Sequence, residues 1–236
     1  MTVPEDELSM LKATGAAALT FNAPLGSDRA RALVDWLAAA DSAAVVDLGC
    51  GRGVLARMVA ERSPSTTVTG VDNDPAVLAR AQEMADGGGL GERLTFVVED
   101  ATAWVGVADA AICIGASHAF GGPTPMVQQL AALPGVTRAI VGDGLWQATP
   151  DPWCLDTFGP LPEGIEQFES IVVAAGWSVE GQATSTIEEW DGFENGWIAG
   201  VRSVGTPEAT AFADERSADY ERYRGTLGFG WLQLIR

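Results

Sequence analysis

From residue 42 to residue 144 the chain alternates between two patterns, and that alternation limits its fold more than any other feature. Short β-branched runs that end near glycine or an acid read as strands: "SAAVVDLG" (42–49), "TTVTGVD" (66–72), "LTFVVED" (94–100), "VADAAICIG" (107–115) and "VTRAIVGDG" (136–144). Among them lie "VLARMVAERS" (54–63), "PAVLARAQEMADG" (75–87) and "PMVQQLAAL" (125–133), with apolar residues at helical spacing. Strands separated by helices of this length return in the same direction, so a parallel sheet with helices on both faces is expected. The amphipathic run 27–40 adds a helix before the first strand, with Ser27 or Asp28 as its cap.

After residue 150 the pattern changes. Residues 164–176 read as a helix and 177–185 as a strand. The stretch 185–205 reads as a helix opened by a capping box from Ser185 to Glu188, with Trp190, Phe193, Trp197 and Val201 at helical spacing. A second helix covers 206–225, with Thr206 as cap and Pro207 in the first turn, and "TLGFGWLQLI" (226–235) reads as a final strand. Two late strands imply a hairpin-like edge on the sheet. No repeat or long linker divides the chain, so a single domain over 1–236 is expected.

The charge balance narrows the partners. Thirty-two acids against 14 bases leave a net charge of −18, and Lys12 is the one lysine. Such a surface repels nucleic-acid phosphates and anionic membranes. Cys50, Cys113 and Cys154 form no paired motif, and no acid or histidine cluster indicates a metal. The opening "MTVPEDELSM" is acidic with no apolar segment behind it, and no run reaches membrane-spanning length, so a cytoplasmic address is expected.

The sharpest motif is "VVDLGCGRG" (45–53), where Gly49, Gly51 and Gly53 leave a strand-to-helix turn open to a ligand. Gly51, Gly53 and Ala56 also fit the spacing of a dinucleotide site, and a tight turn alone would explain the glycines. Asp47 weighs against a pyrophosphate and suits a cationic group. Asp72 ends the second strand, where an acid can hold a ribose diol, and Asp100 ends the third. Three acids at consecutive strand ends would ring the crevice in which open α/β sheets bind ligands. His118, the single histidine, sits in "IGASHAFGG" (114–122) just after the fourth strand.

These motifs resemble those of class I S-adenosylmethionine-dependent methyltransferases, in order and spacing, over residues 41–147. The resemblance implies a Rossmann-like seven-stranded sheet, mostly parallel, with the last strand, Gly228–Ile235, inserted antiparallel and helices on both faces. It divides the chain into an N-terminal cover and helix (1–40), a cofactor-binding core (41–147) and late helices and strands on the substrate side (148–236). It places Asp47, Gly49, Cys50 and Gly51 at the methionine moiety and Asp72 and Asn73 at the ribose. Asp100 and Ala101 fall at the adenine, and Ile114 and Gly115 on the floor of the site. S-adenosylhomocysteine would be the product.

A finer resemblance rests on "LTFNAPLGSDRA" (19–30), "IGASHAFGG", "VGDGLWQATP" (141–150), "EEWDGFENGW" (188–197) and "LGFGWLQLI". It is to a group of small bacterial methyltransferases taken to act on small molecules, and methyl transfer to a small-molecule oxygen or nitrogen is the function expected of this chain. His118 is the candidate catalytic base, since imidazole ionises near neutral pH, or else a residue that shapes the pocket. Asp143 either orients His118 and meets substrate or caps a helix. Phe21, Trp146 and Trp190 are the further substrate candidates, with Trp190, Phe193 and Trp197 open to reading as a core stripe. A cofactor-binding sensor or partner subunit without transferase activity is the alternative function.

Overall fold

The computed structural model describes residues 4–236. The first three residues of the expected N-terminal cover lie outside the described residues. Seven strands form one sheet: β1 (Ala44–Leu48), β2 (Thr67–Asp72), β3 (Leu94–Val98), β4 (Ala110–Ile114), β5 (Arg138–Trp146), β6 (Ser178–Thr184) and β7 (Leu227–Ile235). Their order is β3-β2-β1-β4-β5-β7-β6. The pairs β1–β2, β2–β3, β1–β4 and β4–β5 are parallel. The chain therefore steps outward from β1 to β3 and then returns to β4 on the other side of β1. That reversal opens a crevice beyond the carboxyl ends of β1 and β4.

The last strand enters antiparallel, as the resemblance implied. It pairs antiparallel with β6, and its ladder to β5 is framed by Gln147 N–H donating to Thr226 O and Arg236 N–H donating to Thr137 O. The β6–β7 pair is thus the hairpin-like edge expected from the pattern.

The described residues group into two compact units. The first holds the sheet's parallel core and comprises Ser27–Leu145, Pro162–Thr184 and Phe229–Arg236. Alternation along each central strand serves two faces. Val46, Leu48, Ala111, Cys113 and Val141 join a core with Met126, Val127 and Leu130 of α6 (Pro123–Ala132) and Phe168 and Val172 of α8 (Gly164–Ala174). The alternate positions Val45, Ile112 and Ile140 are buried as well, and α3 (Val54–Arg62) packs on β1, β2 and β3. Burial on both faces explains why these strands read as nearly continuous apolar runs. The unit also contains α2 (Ser27–Ala38), which packs on α3, together with α4 (Pro75–Gly87) and the short α5 (Ser117–Phe120).

The second unit comprises, of the described residues, 4–26, Trp146–Leu161 and Ser185–Gly228. Its helices are α1 (Glu5–Ala17), α7 (Pro152–Phe158), α9 (Ile187–Arg202) and α10 (Pro207–Tyr223). The start of α9 corrects the sequence reading: the capping box joins Thr186 to Glu189, one residue later than expected. Ser185 is instead buried and donates its hydroxyl to Pro24 O at 2.7 Å. Thr206 caps α10 through Ala209 N–H, with Pro207 in the first turn, as expected. The helices α1 and α7 went unread, although Asp151 followed by Pro152 is a cap signal and Asp151 does accept from Cys154 N–H.

Helix α1 crosses α9 at Gly15. A Cβ there would lie 2.4 Å from the indole of Trp197. That indole is pinned by the edge of Phe212 at 5.7 Å and by the Arg216 guanidinium 4.0 Å over its face. Gly15→Ala should gain about 1 kcal/mol of helix propensity, yet overpacking of about 1–3 kcal/mol should exceed it. A guanidinium chloride midpoint lower than that of the parent chain is the expected result.

Candidate active site

The turn after β1 is built by backbone amides that reach across to β2. Gly49 N–H and Cys50 N–H both donate to Val71 O, at 2.8 and 3.0 Å. Gly51 N–H donates to Asp72 Oδ2 at 2.8 Å. Gly51 lies at φ +51°, and a Cβ built on it would meet nothing within 4 Å. Glycine therefore serves both the left-handed backbone and an open approach.

Asp47 sits one residue before the end of β1 and is 4% exposed. In register it faces Gly70 on one side and Ile112 on the other. Burial pushes its carboxyl up to about 7, the Ala56 amide opposes the shift, and the charge of Asp72 adds to it. The Ala56 interaction has a structural reason. Gly53 precedes α3 without a side-chain cap, so Asp47 serves one of the helix's free N-terminal amides. The Cys50 thiol is raised by burial and by the charges of Asp47 and Asp72. Asp47, Cys50, Gly51 and Asp72 thus form one electrostatic group at the end of β1.

Asp72 closes β2 and is committed on both oxygens: Oδ2 to Gly51 N–H, and Oδ1 to Asp74 N–H at 3.1 Å. Each oxygen keeps a second lone pair. Asn73 beside it is exposed. Asp100 lies two residues beyond β3 in an Asx turn, where Thr102 donates its N–H at 2.8 Å and its hydroxyl at 2.7 Å to Oδ1. Those bonds hold its carboxyl below the usual range. Ala101 is buried behind it.

Beyond β4, Ile114 is half-buried and Gly115 N–H donates to Gly142 O at 2.8 Å. His118 is exposed on α5. Asp143 accepts from two backbone amides: Oδ2 from Ser117 N–H at 3.2 Å and Oδ1 from Gly144 N–H at 2.7 Å. Burial raises its carboxyl, these hydrogen bonds and then the charge of His118 oppose the rise. Asp143 thereby fixes the start of the turn that carries His118.

Phe21, Trp146 and Trp190 belong to the helical unit. Phe21 is half-buried. Trp146 is buried, 6.2 Å edge-on from Phe158. Trp190 is buried against Phe193 and Tyr223, at 6.0 and 6.1 Å. Sequence reasoning missed Glu194, which is 1% exposed and clamped by Arg216 Nε and Nη2 and by the Tyr223 hydroxyl. The available signal was an acid four residues after Trp190 on the apolar face of a helix, since a buried charge requires partners.

Residues 45–135 match the methyltransferase domain family. Trans-aconitate 2-methyltransferase of Streptomyces avermitilis is 43% identical over 81 residues, which cover 32% of this chain and 30% of that enzyme. The uncharacterized protein YjhP of Escherichia coli is 27% identical over 212 residues, covering 81% of this chain and 84% of that protein. Its crystal structure matches with a TM-score of 0.80 at 24% identity, over 95% of this chain and 98% of that one. A SAM-dependent methyltransferase of Geobacter sulfurreducens, solved with S-adenosyl-L-homocysteine, matches with a TM-score of 0.79 at 22% identity, over 99% and 98% of the two chains. Among the described residues no helix is long and apolar enough to cross a membrane. Strand order, the glycine turn and the match over residues 45–135 make the chain similar in fold and motif to the class I S-adenosylmethionine-dependent methyltransferases.

Proposed function

We propose that the chain transfers a methyl group from S-adenosylmethionine to a small-molecule acceptor, at oxygen or nitrogen, in the cytoplasm. The observation that carries this reading is Asp47: a buried carboxyl held near neutrality at the crevice, where a ligand ammonium group would restore its charge. The donor set fits the cofactor in other respects. Gly51 leaves open space where a side chain would stand, and Asp72 retains lone pairs for ribose hydroxyls. An acid-ringed crevice also suits a sulfonium better than a pyrophosphate. The net charge of −18 disfavours nucleic acid as the acceptor, and three free cysteines suit a reducing compartment.

When bound, S-adenosylmethionine supplies a methyl group on a sulfonium sulfur, and transfer forms the acceptor–carbon bond as the sulfur–carbon bond breaks, leaving S-adenosylhomocysteine. The residues of the chain hold and align. Asp47, with Gly49, Cys50 and Gly51, takes the methionine end; Asp72 and Asn73 take the ribose. Asp100 and Ala101 take the adenine, and Ile114 and Gly115 lie beneath. His118 accepts the acceptor's proton, and Asp143 keeps the turn that carries it in place. The substrate assignment of Phe21, Asp143, Trp146 and Trp190 belongs to the same proposal.

Three measurements test this reading. Release of labelled methyl groups into a metabolite extract is expected from S-adenosylmethionine, with calorimetric binding of S-adenosylhomocysteine and none of NAD; binding of NAD in preference would overturn it. His118→Ala should lower turnover about 100-fold or more, the usual contribution of a general base, with S-adenosylhomocysteine affinity within about twofold. Unchanged turnover would remove His118 from the chemistry.

Asp47→Asn separates binding from stability. Between its ordinary value of 3.8 and about 7 the folded carboxyl binds a proton that the unfolded chain releases. Stability therefore falls as pH rises through that window, by about 4 kcal/mol at 1.36 kcal/mol per unit. The amide should raise the melting temperature most at pH 8, less at pH 5, and change it little below pH 4. It should weaken S-adenosylhomocysteine binding at pH 8 about 30-fold or more, as loss of one partner of a buried charge pair does.

A further inference from the structure

Within the helical unit, α7, α9, α10 and the start of β7 line a cavity of about 260 Å3. Trp153, Phe158, Trp190, Phe193 and Tyr223 line it together with Leu227. Its size falls just under the roughly 300–1,000 Å3 of typical small-molecule sites. It suits a compound of one or two rings. The aromatic faces meet edge to face, with Phe158 and Tyr223 centred 5.0 Å apart, so they form a rigid wall.

Two observations define what such a ligand must be. Trp190 is 7% exposed, and its Nε1 has no hydrogen-bond partner among the described residues. A buried donor left unpaired is costly, and an acceptor oxygen on a ligand removes that cost. The charged groups of the lining give the second constraint. Arg216 is held by Glu194 through two hydrogen bonds of 2.8 and 2.9 Å and lies over the Trp197 ring at 4.0 Å. Tyr223 donates its hydroxyl to the same carboxylate at 2.7 Å. The cation is therefore spent on an internal pair, and the half-buried Asp219 adds negative charge to the lining. A carboxylate or phosphate ligand finds no free basic partner there.

We infer that this cavity is a binding site for a neutral aromatic molecule of one or two rings, which presents an accepting oxygen to Trp190 Nε1. Trp190 is also one of the substrate candidates of the methyl-transfer reading, but this ligand chemistry rests on the cavity lining alone, and its test needs neither S-adenosylmethionine nor turnover.

Three naphthalenes of similar shape test it on the full chain by calorimetry: 2-acetylnaphthalene, 2-isopropylnaphthalene and 2-naphthoate. The two neutral probes should bind, with 2-naphthoate weakest. Trp190→Phe removes the donor and keeps an aromatic face. It should lower the affinity for 2-acetylnaphthalene about fivefold relative to 2-isopropylnaphthalene, in line with one hydrogen bond. Thr157→Trp, at an exposed position on the rim, should block both neutral probes without moving the melting temperature, and it carries the test where Trp190→Phe does not fold. Absence of binding by both neutral probes, tightest binding by 2-naphthoate, an unchanged affinity ratio in Trp190→Phe, or binding that survives Thr157→Trp would each overturn the assignment.

Discussion

A carboxylate kept out of water organises the carboxyl end of the parallel sheet. Asp47 lies on a central strand between Val46 and Leu48, whose fully buried side chains fix the direction in which it points. Its neighbour in register on β2 is Gly70, and a Cβ there would already crowd the Phe96 ring and the Cys50 sulfur. The acid is therefore held where solvent does not reach it, with the Ala56 amide as its counterpart. The energetic cost of that position is sustained by strand pairing and core packing around it. In the proposed function, what it provides is a proton that leaves when a cation binds.

The same device recurs along the crevice in weaker form. Asp72 takes the amides of Gly51 and Asp74, Asp74 takes those of Ala76 and Val77, and Asp143 takes those of Ser117 and Gly144. Asp100 does likewise with Thr102. Acids at strand ends thus shape their own loops by binding backbone donors that would otherwise go unsatisfied. An excess of acids and a set of well-defined turns are, in this chain, one property. The helical unit solves a different problem, burying a charge inside an aromatic core, and it does so by clamping Glu194 between Arg216 and Tyr223.

The parallel core was legible because its signals are local and repeated. The helix read at 75–87 spans Pro75–Gly87 in the structure, since Asp74, Pro75 and Gly88 mark its ends in the sequence itself. The antiparallel insertion of β7 followed from resemblance, since no local pattern tells a strand which neighbours it will join. The cap of α9 was misplaced by one residue because Ser185–Glu188 and Thr186–Glu189 satisfy the same spacing, and burial of Ser185 against Pro24 decided between them. Helix α1 lacked a clear apolar stripe, as its close approach to α9 uses Gly15 in place of a large side chain. The acids of the crevice were readable from strand ends. The partners of Trp190 and Glu194 were not, because Trp153, Phe158, Arg216 and Tyr223 come from segments distant in the chain.

The central claim of the proposed function is that Asp47 releases its proton to solvent when a cationic ligand group binds beside it. The number of protons released when S-adenosylhomocysteine binds tests it most directly, measured by calorimetry at pH 7 in buffers of different ionisation enthalpy. With a carboxyl at about 7 in the free protein, roughly half of the molecules hold that proton at this pH. Release of about half a proton per ligand bound, falling toward zero at pH 9, is the predicted result. Binding without proton release at pH 7 would contradict the account.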